Sequence, residues 1–114
     1  MADASAGTPT ISTHVLDTER GVPAVGIAVR LYRLDVGVAP IRMTQALTDG
    51  DGRIGDLLER PLVAGDYRLE FDVGTEDDAF FRRIAVDLRV ADTARSYHVP
   101  LLLAPYSMTT YRGS

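Results

Sequence analysis

Apolar and polar side chains alternate with a period of two over much of this chain. Residues 67–73 show it most regularly: Tyr67, Leu69, Phe71 and Val73 fall on one side, and Arg68, Glu70 and Asp72 on the other. Successive side chains leave an extended backbone on opposite faces, so this pattern predicts a strand with one face buried. The same alternation recurs at 84–90, where Ile84, Val86, Leu88 and Val90 oppose Asp87 and Arg89. At 27–34 it sets Ile27, Val29 and Leu31 against Arg30 and Tyr32, and at 11–16 Ile11, Thr13 and Val15 against Ser12, His14 and Leu16. Turn-forming clusters separate the runs: Glu19-Arg20-Gly21, Asp35-Val36-Gly37, Asp49-Gly50-Asp51-Gly52, Ala64-Gly65-Asp66 and Ala91-Asp92-Thr93. Many short strands at this rhythm predict an all-β fold, an antiparallel sandwich or barrel.

Two segments depart from the plain pattern. Thr75 is placed to cap a single helical turn, with Glu76, Asp77 and Asp78 near its positive end. No other helix is predicted. The apolar stretch from Tyr97 to about Ser107 contains Pro100 and Pro105, which cannot donate to a ladder, so that strand is expected at a sheet edge or with a bulge.

With 114 residues, 46% hydrophobic and 25% charged, the chain has the composition of one globular domain. Residues 1–10 are small, polar and Pro/Gly-containing and read as a flexible leader; residues 11–114 read as the domain. The absence of cysteine excludes thiol catalysis and Cys-type metal sites. All 12 basic residues are Arg against 16 acidic ones, a net charge of −4 with no basic block. Such a balance argues against nonspecific binding of nucleic acid or an anionic membrane and leaves room for one local anion site. No apolar stretch is long enough to span a bilayer, and the N-terminus does not read as a secretory signal, so a cytoplasmic protein is expected.

Candidate chemistry is sparse. The two histidines, His14 and His98, both lie on the strand face opposite the apolar stripe. They are therefore expected on the outer face of a sheet or in a subunit interface. They are either ordinary surface histidines or a pair able to act as general base and general acid near pH 7. The loop Asp49-Gly50-Asp51-Gly52-Arg53 does not fit a calcium loop, since Ile54 and Arg60 stand where glycine and glutamate are needed. It reads as a tight turn that presents Arg53, a guanidinium suited to two parallel hydrogen bonds with an anionic or carbonyl-rich ligand. No nucleophile elbow, zinc helix or phosphate loop is present, and no metal site is predicted. The C-terminus, Tyr106 to Ser114, continues strand-like alternation to its last residue, unusual for a tail. It is either a final edge strand or a segment held in a site, with Tyr111, Arg112 and Ser114 as donors.

The opening STHVLDTERGVPAVGIAVRLYRL, the DGR at 51–53 and the closing YHVPLLLAPYSMTTYRGS at 97–114 resemble the transthyretin-related family of 5-hydroxyisourate hydrolases of purine catabolism. The likeness covers nearly the whole chain from Ile11, and the terminal YRGS is its most specific part. It separates the enzymes from the transthyretin hormone carriers. The resemblance implies a sandwich of two four-stranded sheets with at most one short helix, assembled as a homotetramer whose active sites lie between dimers. It also implies hydrolytic opening of the six-membered ring of 5-hydroxyisourate to 2-oxo-4-hydroxy-4-carboxy-5-ureidoimidazoline, without cofactor or metal. The family's catalytic residues map onto His14, Arg53, His98 and Ser114, and its substrate-binding residues onto His14, Arg53, Tyr111, Arg112 and Gly113. A scheme that these residues allow has Arg53 bind the substrate and polarise a ring carbonyl, one histidine, taken as His98, deprotonate water with Ser114 orienting it, and His14 contact the substrate or protonate the leaving nitrogen; the histidine roles are interchangeable on sequence.

The chain departs from this family in two places. Only Gly74 to Arg83 joins two strands that the family links by a longer stretch with a short helix, so that helix is expected to be abbreviated or absent. Met108 stands where an aromatic is frequent, and its flexible thioether suits a packing role. Two competing classes are a non-catalytic binding module of the same fold and a purely structural sandwich domain.

Overall fold

The computed structural model describes residues 8–113, among which nine strands and no helix occur. In chain order these are β1 (Ile11–Asp17), β2 (Val22–Pro23), β3 (Ala28–Leu34), β4 (Ile41–Leu47), β5 (Arg53–Ile54), β6 (Gly65–Asp72), β7 (Arg83–Val90), β8 (Tyr97–Ala104) and β9 (Ser107–Thr110). They form two sheets. One runs β2-β1-β8-β9, with the two-residue β5 also pairing with β1; the other runs β4-β3-β6-β7. The first sheet thus holds five strands rather than four.

The predicted stripes become the core. Ile11 and Val15 of β1, Val29 and Leu31 of β3, Tyr67, Leu69 and Phe71 of β6, and Leu101 of β8 are all fully buried between the sheets. Leu57 and Leu58 close the same core from the segment after β5. Thr13, in line with them, is buried because its Oγ1 donates to the carbonyl of Val99 at 2.6 Å. On the outer face of the second sheet, Arg30 bonds Glu70 at 2.9 Å and Asp72 through both terminal nitrogens. The polar half of the alternation is therefore a cross-strand charge ladder.

Three expectations are corrected. The sheets are not wholly antiparallel: β1 and β8 pair in parallel, Ile11 with Tyr97 through Asp17 with Leu103. Nearly the whole chain separates these strands, so the long crossover that parallel pairing needs is available. The strand containing Pro100 is central, between β1 and β9. Along β8 the backbone groups of Tyr97 face β1, and those of His98 and Pro100 face the C-terminal segment. The missing N–H of Pro100 thus falls opposite Tyr111, just beyond the last residue of β9, where the ladder to β1 is untouched. Pro105 and Tyr106 form the two-residue turn between β8 and β9, a position that suits a fixed φ.

The capped helical turn at Thr75 is a simple turn instead, closed by Ala79 N–H to the carbonyl of Glu76 at 3.1 Å. Gly74 has no room for a side chain there, since a Cβ would lie 2.0 Å from the carbonyl oxygen of Phe81. Thr10 is joined to the first sheet: its N–H donates to Ser96 Oγ at 3.0 Å and its carbonyl accepts from Tyr97 N–H at 2.8 Å.

Candidate active site

The pleat of β1 turns Ser12, His14 and Leu16 away from the core, and strand pairing assembles a site around them. Arg53 of β5 is the register partner of His14. His98 of β8 is the register partner of Ser12, and a bridge on its other side joins it to Gly113. Arg53, His14, Ser12, His98 and Gly113 therefore share the outer face of one sheet. His14 and His98 are diagonal neighbours across β1 and β8, a relation that spans roughly 7–8 Å.

The loop before β5 is built to deliver Arg53. The Asp49 carboxylate accepts the N–H groups of Asp51 at 2.9 Å and Arg53 at 3.0 Å, which holds its carboxyl below the usual carboxylate range. Gly52 takes φ +76° and its carbonyl accepts from Val15 N–H at 2.8 Å. A Cβ at that position would lie 2.4 Å from the Val15 carbonyl oxygen, so only glycine lets the loop dock on β1. This docking also brings the Asp51 carbonyl to His14, whose Nε2 donates to it at 2.9 Å. A carbonyl only accepts, so neutral His14 carries its proton on Nε2 and presents a lone pair at Nδ1.

His98 is held from two sides. Its Nδ1 lies 2.8 Å from Ser12 Oγ, and the edge of its ring packs on Gly113, whose N–H donates to the His98 carbonyl at 2.7 Å. Partial burial, then the charges of Arg53 and His14, push its pKa below the ordinary imidazole value. His98 is therefore neutral at pH 7, the form that accepts a proton. Two imidazoles beside a guanidinium can bind a planar, anionic or carbonyl-rich molecule, polarise a carbonyl and activate water.

The terminal segment splits by face. Its register places Tyr111 opposite Pro100 and on the histidine face, where the ring is exposed. Arg112 falls on the other side, with its guanidinium 4.8 Å above the ring of Tyr97. Arg112 is thus not brought to the histidines within one chain, a direct result of the alternation that turns its two neighbours outward. Ser114, expected to orient His98, lies outside the described residues; the hydroxyl at that imidazole is Ser12. Sequence reasoning missed Ser12 and Asp49, although Ser12 sits two residues before His14 on the same strand face. A cavity of about 440 Å³, walled by Phe80, Phe81 and Tyr106 among others, opens elsewhere and contains none of the site residues. The histidine face itself is open in one chain.

The HIUase/Transthyretin family pattern matches residues 11–113, which hold the entire described site. The chain belongs to this family. Within the HIUase/Transthyretin family it is 42% identical to the 5-hydroxyisourate hydrolase of Deinococcus radiodurans over 95% of this chain and 98% of that protein. The structure of Klebsiella pneumoniae 5-hydroxyisourate hydrolase superposes with a TM-score of 0.80 at 34% identity, covering 94% of this chain and all of that one. Sea bream transthyretin in complex with thyroxine superposes equally well, TM-score 0.80, at 27% identity over 90% of this chain and 93% of that one. Family fold alone therefore does not choose between catalyst and carrier. The side chains on the histidine face must.

Proposed function

We propose that the chain is a 5-hydroxyisourate hydrolase of purine catabolism, opening the six-membered ring of its substrate to 2-oxo-4-hydroxy-4-carboxy-5-ureidoimidazoline. The observation that carries this reading is the sharing of one sheet face by His14, Arg53 and His98, with His98 held neutral beside a guanidinium. A carrier of an apolar ligand has no need for that set. The hydrolases named above among its relatives support the same reading.

In this scheme Arg53 binds the planar substrate and polarises a ring carbonyl. His98 takes a proton from water as the oxygen attacks that carbonyl. The ring C–N bond then breaks, its electron pair stays on nitrogen, and the nitrogen takes the proton held by the His98 imidazolium, which restores the base, while His14 contacts the substrate. Tyr111 supplies a phenol to the substrate and Gly113 closes against the His98 ring; Ser114 keeps the catalytic role that the family resemblance implies for it. We further propose that the open face is completed by other copies of the chain in a homotetramer, with Arg112 acting from its side of that interface, and that the protein works in the cytoplasm. The exposed Tyr111 ring and the open face around His14 support an interface there.

The test is spectroscopic. 5-Hydroxyisourate is generated in place from urate, and its decay is followed with and without the protein. Acceleration that disappears in Arg53→Ala is expected; unaccelerated decay by a folded protein would move the reading to a binding module.

A further inference from the structure

We propose that Ser12 is the positioning residue of the His98 base: its hydroxyl accepts the Nδ1–H of His98 and so reserves Nε2 as the atom that takes the proton from water. This rests on the hydrolase reading above and adds to it the nitrogen that works and the group that selects it.

Three observations lead here. Ser12 and His98 are register partners in the parallel pairing of β1 with β8, so the contact is set by two long strands rather than by a loop. Ser12 Oγ stands 2.8 Å from Nδ1, and both residues are half-buried. Gly113 leaves no space beyond the ring edge, since a Cβ there would meet Cδ2 at 2.7 Å, so the imidazole is gripped between strand and terminal segment. Among the described residues the ring has one engaged nitrogen, Nδ1, and one without a partner, Nε2.

The direction of the hydrogen bond follows from the proton balance. When His98 takes up a proton at Nε2, Nδ1 must already carry one. An Nδ1–H donating to Ser12 Oγ is in place before and after that transfer, so nothing at Ser12 has to rearrange. The opposite arrangement, Ser12 donating to a bare Nδ1, puts the neutral proton on Nε2 and leaves no lone pair there. Among the described residues the charged or titratable groups facing His98 are Arg53 from β5 and His14 from β1, with the Tyr111 phenol on the same face and Gly113 adding no charge. Arg53 opposes the imidazolium that forms during the reaction, and the Ser12 oxygen favours it.

Nitrogen-15 NMR of the imidazoles tests this directly, because the chain has only two histidines to assign. The wild-type protein should show neutral His98 protonated at Nδ1, and Ser12→Ala should lower the His98 pKa further. In the 5-hydroxyisourate assay Ser12→Ala should lose roughly tenfold in kcat, the scale of one good hydrogen bond, with KM unchanged and the acidic limb moved to lower pH. Ser12→Thr, which keeps the hydroxyl, should restore both. A neutral His98 protonated at Nε2, or a Ser12→Ala variant with wild-type kcat and pH profile, would overturn the assignment. A wild-type chain that fails to accelerate decay would instead overturn the hydrolase reading, and the base role with it.

Discussion

Replacing Gly113 by alanine probes the site with one added carbon. The new Cβ would lie 2.7 Å from Cδ2 of His98 and 3.3 Å from both Cβ and Cγ of the same side chain. Carbon atoms in contact settle at about 3.5–4.0 Å, so the ring edge would be about 1 Å too close. The backbone at Gly113 is pinned by its 2.7 Å hydrogen bond to the His98 carbonyl, and the His98 backbone lies within the β1/β8 pairing. Relief therefore falls on the imidazole, which has to turn away from the position where Ser12 holds it. Displacing a reacting group by about 1 Å costs on the order of 100-fold in rate. The hydrophobic core is untouched, so stability should change by less than about 1 kcal/mol. Gly113→Ala should thus fold like wild type by calorimetry and lose about two orders of magnitude in kcat against 5-hydroxyisourate, on the scale just given. A variant with wild-type kcat would refute the claim that the terminal glycine is there to admit the His98 ring.

On the pH axis, kcat/KM should fall on the acid side with an apparent pKa below the ordinary imidazole value, since burial and Arg53 disfavour the charged form of His98. The same depression means the unfolded chain binds that proton more readily, so the His98 contribution to stability should decline as pH falls below about 6.5; urea titrations at several pH values check the sign. Gly52→Ala meets both a backbone oxygen at 2.4 Å and a left-handed φ, and should cost at least about 2 kcal/mol in urea unfolding while also lowering activity through Arg53. Arg30→Ala leaves Glu70 and Asp72 with the exposed Arg83 as their remaining shared cation; a loss of about 2 kcal/mol, reduced from the fully buried case by Arg83 and by the partial exposure of Asp72, should appear in stability with kcat unchanged.

What could be read before the structure followed the strength of the alternation. β6, buried on one face along its whole length, was plain in the sequence, as were the outward positions of His14 and His98. β4 was not, because it is an edge strand with Ile41 and Leu47 both more than half exposed, so it carries no clear apolar stripe. The parallel pairing of β1 with β8 joins residues 86 positions apart at Ser12 and His98, and no local pattern encodes it. Pro100 misled for a related reason: its cost depends on which neighbour its nitrogen faces, which only the register reveals. The site was legible as a set of residue types, but its assembly by register was not. Ser12 joins His98 across two strands, the Asp51 carbonyl reaches His14 through a docked loop, and Arg112 turns toward Tyr97.

The most direct measurement of the central claim is the first-order decay of freshly generated 5-hydroxyisourate in the presence of wild-type, His14→Ala and His98→Ala proteins at equal concentration. Strong acceleration by wild type and loss of most of it in each variant, with folding preserved, are expected. Wild-type rates in both histidine variants would contradict the claim.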